Sequence, residues 1–169
     1  MKFAAVLSLA LSAMALPMDM EKRALTTRPY AQFQVSGGVA GNALAEVQAK
    51  FPRSVPKINE SNLAGVSKSD LAIIKAARKT AEAAETGAFN KAISAAGKTS
   101  AAGKALQNGK IKNKVLKLKL ETLALQIDQA QSGKDNSAKI AQEQKKLDNN
   151  IATDKKNAGQ ASQSVQFAG

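Results

Sequence analysis

The chain of 169 residues contains no cysteine, no histidine and no tryptophan. Without cysteine there is no disulfide framework, zinc thiolate site or thiol nucleophile, and without histidine the commonest general base near neutral pH is missing. Proline is confined to the first third of the chain. The last of four is Pro56, and the 113 residues after it have none. Aromatics are scarce, five Phe and one Tyr. Large apolar residues are few as well: in residues 24–169, Leu, Ile, Val and Phe make up 30 of 146, and 28 of the 59 hydrophobic residues are Ala. That composition lies close to the range in which chains stay disordered. An enzymatic function is not expected, and no cofactor is implied.

What is present is positive charge, 25 Lys and Arg against 13 Asp and Glu, for a net charge of +12. Met1-Lys2 gives a short basic start, residues 3–14 are apolar apart from Ser8 and Ser12, and Ala13-Met14-Ala15 is a small-x-small cleavage pattern. Residues 1–15 therefore read as a secretory signal peptide, since the run falls short of the roughly 20 residues that a bilayer crossing needs. No later segment reaches that length, so no transmembrane segment is expected. Residues 16–23 end in the dibasic pair Lys22-Arg23, read as a propeptide processing site. The mature chain is then a single helical domain over residues 24–169, with its core at about 37–158 and a location outside the cell or in the cell wall.

Periodicity decides for folding over disorder. The proline-free stretch is rich in Ala, Lys, Leu, Gln and Glu, which are strong helix formers. Gly37-Gly38 precedes a helix expected over 39–50 and stopped by Phe51-Pro52, and an irregular linker runs through Pro56 to Val66. A second helix opens at Ser67 with Asp70 three residues on, a capping-box arrangement, and places Leu71, Ile74, Ala77, Ala81, Ala84 and Ala88 on one face. Gly87 is expected to bend or interrupt this element before Phe89, Ala92, Ile93 and Ala96 continue it, and the glycines at 97, 103 and 109 read as further helix interruptions. Residues 110–131 carry two apolar stripes, Leu116, Leu120, Leu123 and Ile127 on one side and Ile111, Val115, Leu118 and Leu125 on the other, as a helix packed between neighbours requires. Ser132-Gly133-Lys134-Asp135 turns the chain into a last helix, about 136–158, with a narrow stripe of Ile140, Leu147 and Ile151. The expected fold is all-α, an irregular up-and-down bundle of four or five helices with extended N- and C-terminal tails. Gln32-Phe33-Gln34-Val35 and Ser164-Val165-Gln166-Phe167 alternate in a way that allows pairing, although flexible tails are the expectation.

The run ALTTRPYAQFQVSGGVAGNALAEVQAKFP, the run GKALQNGKIKNKVLKLKLETLALQIDQA and the ending ATDKKNAGQASQSVQFAG resemble a group of fungal, cysteine-free small secreted proteins of unknown function. The resemblance spans essentially the whole mature chain. It implies a fungal origin, which suits the Lys22-Arg23 pair, and supplies no catalytic or binding residues.

Candidate chemistries reduce to one. Glu82 with Glu85, and Glu143 with Asp148, could be imagined as acid/base pairs, but helical surface pairing with neighbouring basic residues explains such spacings better. Gly97-Lys98-Thr99 resembles the end of a phosphate-binding loop, yet Ala92 stands where its first glycine belongs and no strand precedes it. The last helix lacks the ligand alternation and central Gly of a calcium loop. The basic cluster has positive content: residues 98–119 hold seven Lys and no acid. Lys110, Lys114 and Lys117 share one polar strip of the central helix, and Lys112 with Lys119 share the other. Such strips can hold an anionic polymer by charge neutralisation and counterion release, or serve simply as a solvated face. Nucleic acid is a poor match because no aromatic or Arg interleaves with the lysines. Anionic polysaccharide, another cell-wall polymer such as phosphorylated mannan, or anionic lipid headgroups fit better. Asn59-Glu60-Ser61 is an N-glycosylation sequon in the linker. The preferred function is a secreted, non-enzymatic interaction protein at the cell wall or at a host or substrate surface. The competing class is a surface-active helical protein that opens on hydrophobic surfaces or membranes.

Overall fold

The computed structural model describes residues 25–50, 58 and 61–168. The architecture is all-α, built around one long helix and completed by a two-stranded ribbon. That long helix, α5 (Ala101–Ser132), spans 32 residues, about 48 Å at the α-helical rise. Ser100 caps its start by accepting from the Gly103 amide at 2.9 Å, and Gly133 ends it in the left-handed conformation with φ of 69°. Leu116, Leu120, Leu123 and Ile127 are all buried, as their spacing predicts. Burying such a side chain fully contributes about 2 kcal/mol. The opposite stripe is buried at Val115 and Leu118 and half-exposed at Ile111 and Leu125.

Two expected interruptions are absent. Gly103 and Gly109 lie inside α5 and are buried. At both positions other backbone crosses the helix too closely for a side chain. A Cβ on Gly103 would stand 1.9 Å from the Gly97 carbonyl oxygen, and one on Gly109 the same distance from that of Gln163. The lack of a side chain here serves packing rather than chain reversal.

Helix α3 (Lys68–Ala83) begins where the sequence places it, with the Ser67 hydroxyl accepting from the Asp70 amide at 3.0 Å. The Asp70 carboxylate, however, accepts from the Leu25 amide at 2.6 Å and so ties down the start of the described chain. Leu71, Ile74, Ala77 and Ala81 form the buried face against α5, where small side chains permit close approach. Gly87 does not break the element. Residues Ala84–Phe89 widen into a π-helical turn and continue directly into α4 (Asn90–Ala96), which stops at Gly97 with φ of 78°. Beyond Gly133, α6 (Ser137–Lys156) packs along α5, burying Leu147 and half-burying Ile140 and Ile151.

The N-terminal elements depart from expectation. Tyr30–Phe33 forms a single helical turn, α1, and α2 is Ala43–Lys50, starting later than the predicted position 39. Residues 38 and 39 instead form strand β1 (Gly38–Val39), paired antiparallel with β2 (Ala161–Ser162), Gly38 opposite Ser162. The pairing therefore falls nearer the bundle than the alternating segments at 32–35 and 164–167. Helix α2 is capped from a distance: the Ala43 amide donates to the buried Asp154 carboxylate of α6 at 2.8 Å.

The tails are not free. Leu25, Tyr30, Phe33 and Val35 are buried, and Tyr30 meets Phe33 and Phe167 edge-on with ring centres 5.5 and 5.8 Å apart. The Tyr30 hydroxyl donates to Asn113 at 2.7 Å, and Asn113 donates to the Ala81 carbonyl at 2.8 Å. Burial pushes the Tyr30 phenol up to about 12. A chain so poor in large apolar residues needs its few aromatics in the core. Tyr30, Phe33 and Phe167 all lie in the tails, so the tails are drawn in.

Candidate functional site

The lysines of α5 meet three different fates. Lys112 is fully buried, and its ammonium donates to the carbonyls of Gly37 and Val39 and to Glu46, each at 2.9 Å. The exposed strip expected of Lys112 with Lys119 is therefore absent: the N-terminal segment and α2 cover this part of α5, and Lys112 fastens them to it. Lys119 is half-buried and engaged. Lys114 and Lys117 converge on Glu85 at 3.5 and 2.7 Å. Lys110 donates to the side-chain oxygen of Asn90, a neutral partner, at 2.6 Å.

The π-helical turn carries Glu85 and leads into Asn90, and so supplies both partners of this strip. Burial alone would push the Glu85 carboxyl up. The hydrogen bond from Lys117 and the charges of Lys117, Lys114 and Lys110 outweigh burial and hold it below its ordinary value of 4.5. A depressed folded-state value means that the carboxylate stabilises the fold above the unfolded value and that this contribution is lost as pH falls through the folded one. Replacing Glu85 by Gln is expected to cost about 1 kcal/mol at neutral pH. In thermal melts across the acid range, the gap between variant and parent should close below pH 4.5. A gap unchanged down to full carboxyl protonation would remove the charge explanation.

Lys110 and Lys114 open onto a cleft of about 650 Å³ between α4, α5 and α6. Its third lysine is Lys98, on the turn between α4 and α5, whose ammonium has no partner among the described residues. None of the residues lining the cleft is acidic. The remaining wall is polar and neutral, with Asn90 and Ser94 from α4, Gln107 and Asn108 from α5, and Thr153 and Asn157 from α6 and its end, over a floor of Ile93 and Ile111. Glu85 faces three lysines with one charge, pairing directly with Lys114 and Lys117, and Lys98 has no acidic partner among the described residues, so the cleft is electropositive.

Lys110 and Lys114 are thus brought together with Lys98, whereas Lys112 and Lys119 are not. The neutral wall is not legible in the sequence, because Ser94 and Thr153 come to line one cleft only through the packing of three helices. The processing residues Lys22 and Arg23 and the sequon residue Asn59 lie outside the described residues. The imagined carboxylate pairs are occupied otherwise. Glu82 pairs with Arg78, Glu143 with Lys146, and Asp148 accepts from Gln144. Among the described residues there is no cluster able to hold a metal ion, and no helix long and apolar enough to cross a membrane.

Fold and cleft together define a small, basic, cysteine-free helical bundle with a lysine-lined groove at one end of its central helix. The chain belongs to the family described as domain of unknown function DUF8454, whose model matches residues 25–166. No curated protein and no solved structure matches it.

Proposed function

We propose that this is a secreted, non-enzymatic interaction protein of fungal origin that acts at the cell wall or at a host or substrate surface by holding anionic polysaccharide. The observation that carries the reading is the cleft that Lys98, Lys110 and Lys114 line with no carboxylate among its other lining residues. The signal-like residues 1–15 and the Lys22-Arg23 pair support export, and the family match begins just after that pair. Polymer binding by lysines weakens with salt because each neutralised site releases a counterion.

Elution from immobilised pectin tests this. Replacing Lys98, Lys110 and Lys114 by Gln should bring elution to lower salt than replacing Lys68, Lys134 and Lys145, which are exposed and line no part of the cleft. Gln keeps helix propensity, so both variants should fold. Equal shifts would mean that only net charge matters. The competing surface-active reading requires an opened bundle, since Val39 is the one large hydrophobic residue exposed among the described residues. Strong adsorption to wax or polyester, with elution from pectin unchanged by either variant, would favour it.

A further inference from the structure

A groove that only gathered counterions would need nothing beyond its lysines. This one pairs them with hydrogen-bonding groups whose capacity is unused. The Ser94 hydroxyl and the Asn90 side-chain NH₂ have no partner among the described residues. The Thr153 hydroxyl donates to the Asn149 carbonyl at 2.8 Å and keeps its acceptor lone pairs. Ile93 and Ile111 supply the apolar part of the same lining.

We propose, building on the polysaccharide reading, that the cleft is a subsite for a single hexuronate unit of an acidic chain, a ring bearing one carboxylate and several hydroxyls. The volume lies within the roughly 300–1,000 Å³ of ligand pockets. The carboxylate meets the ammonium groups of Lys98, Lys110 and Lys114, which act as point charges without bidentate geometry. Ring hydroxyls both donate and accept, and so match Asn90, Ser94 and Thr153. The isoleucines face the C–H surface of the ring. A nucleotide is disfavoured because the lining contains no aromatic side chain and no Arg for base stacking. A lipid surface is disfavoured because the cleft is walled by three helices and carries no exposed large apolar rim.

Calorimetric titration of the full chain with trigalacturonate, its carboxyl-reduced neutral counterpart and inorganic tripolyphosphate separates the possibilities. Trigalacturonate should bind and the neutral trisaccharide should not. The double variant Ser94→Ala/Thr153→Val changes no charge and is exposed at both positions, so folding should survive. It should weaken trigalacturonate about tenfold, at about threefold per lost hydrogen bond, and tripolyphosphate, which has no hydroxyl to give to Thr153, by about threefold at most. If the lysine variant weakens both anions while the hydroxyl variant weakens neither, the subsite is overturned and the polymer reading stands. If no anion binds the parent protein, both are overturned.

Discussion

Replacing Lys112 by Met is expected to lower the stability of the fold by about 3 kcal/mol. Lysine is almost never fully buried unless paired, and here the ammonium has three acceptors and no exposure. Met has a similar length and fills the channel, so the loss comes from the acceptors left behind. The part-buried Gly37 and Val39 carbonyls lose a charged donor, and a polar group left unmet beneath the Met side chain costs about 1–3 kcal/mol. Glu46 is 36% exposed in its side chain and regains water, which keeps the total near the lower end of what removing one partner of a buried ion pair costs. At about 2–4 °C per kcal/mol for a chain of this size, the melting temperature should fall by roughly 10 °C. Lys104→Met, on the exposed face of the same helix, is the control and should shift it by no more than about 0.5 kcal/mol. A Lys112→Met variant that melts with its control would show that the lysine does not hold the N-terminal segment.

The buried lysine also explains what could be read beforehand and what could not. Ser67 with Asp70, the stripe from Leu116 to Ile127 and the reversal at Gly133 are local signals, each contained within a few turns of one helix, and each is where its spacing predicts. Lys112 looks like its neighbours Lys110 and Lys114 because composition does not distinguish a solvated lysine from a covered one. Its position did carry a signal. On a helical projection it falls between Val115 and Leu116, both fully buried, one turn before the apolar stripe. A polar residue at that angle is a core residue with partners. The partners themselves, carbonyls 73 and 75 residues away, follow from tertiary packing alone. The same limit applies to the candidate site. The lysines were visible as a run, but the cleft depends on α4, α5 and α6 meeting, and on Glu85 and Asn90 being supplied from outside α5.

Glycine gives the second large effect, and its sign depends on place. Gly109→Ala should destabilise the fold by about 3 kcal/mol, although alanine is the better helix former by about 1 kcal/mol. The new methyl group would overlap the Gln163 carbonyl oxygen, 1.9 Å away, and press on that of Ser36 at 3.1 Å. Both obstacles are backbone, so neither can rotate aside. The segment that must move is anchored to its surroundings by three bonds: Gln163 amide to the Ala105 carbonyl, Asn108 side chain to the Ala161 carbonyl, and Ser162 hydroxyl to the Ser36 carbonyl. Displacing it strips β2 from β1 and loosens the end that brings Phe167 to Tyr30. Gly87→Ala is the opposite case. Beyond its chain neighbours and its own helical backbone, nothing lies within 4 Å of its added Cβ, and its φ is not positive, so that substitution should be neutral or stabilise by up to about 1 kcal/mol. Chemical denaturation of the two variants, with hydrogen exchange at residues 161–163, distinguishes them. Gly109→Ala should show faster exchange there and a lower midpoint, and Gly87→Ala neither. Should both substitutions raise the midpoint alike, Gly109 would be an ordinary helix position, and the crossing of the C-terminal strand over α5 would have to be abandoned.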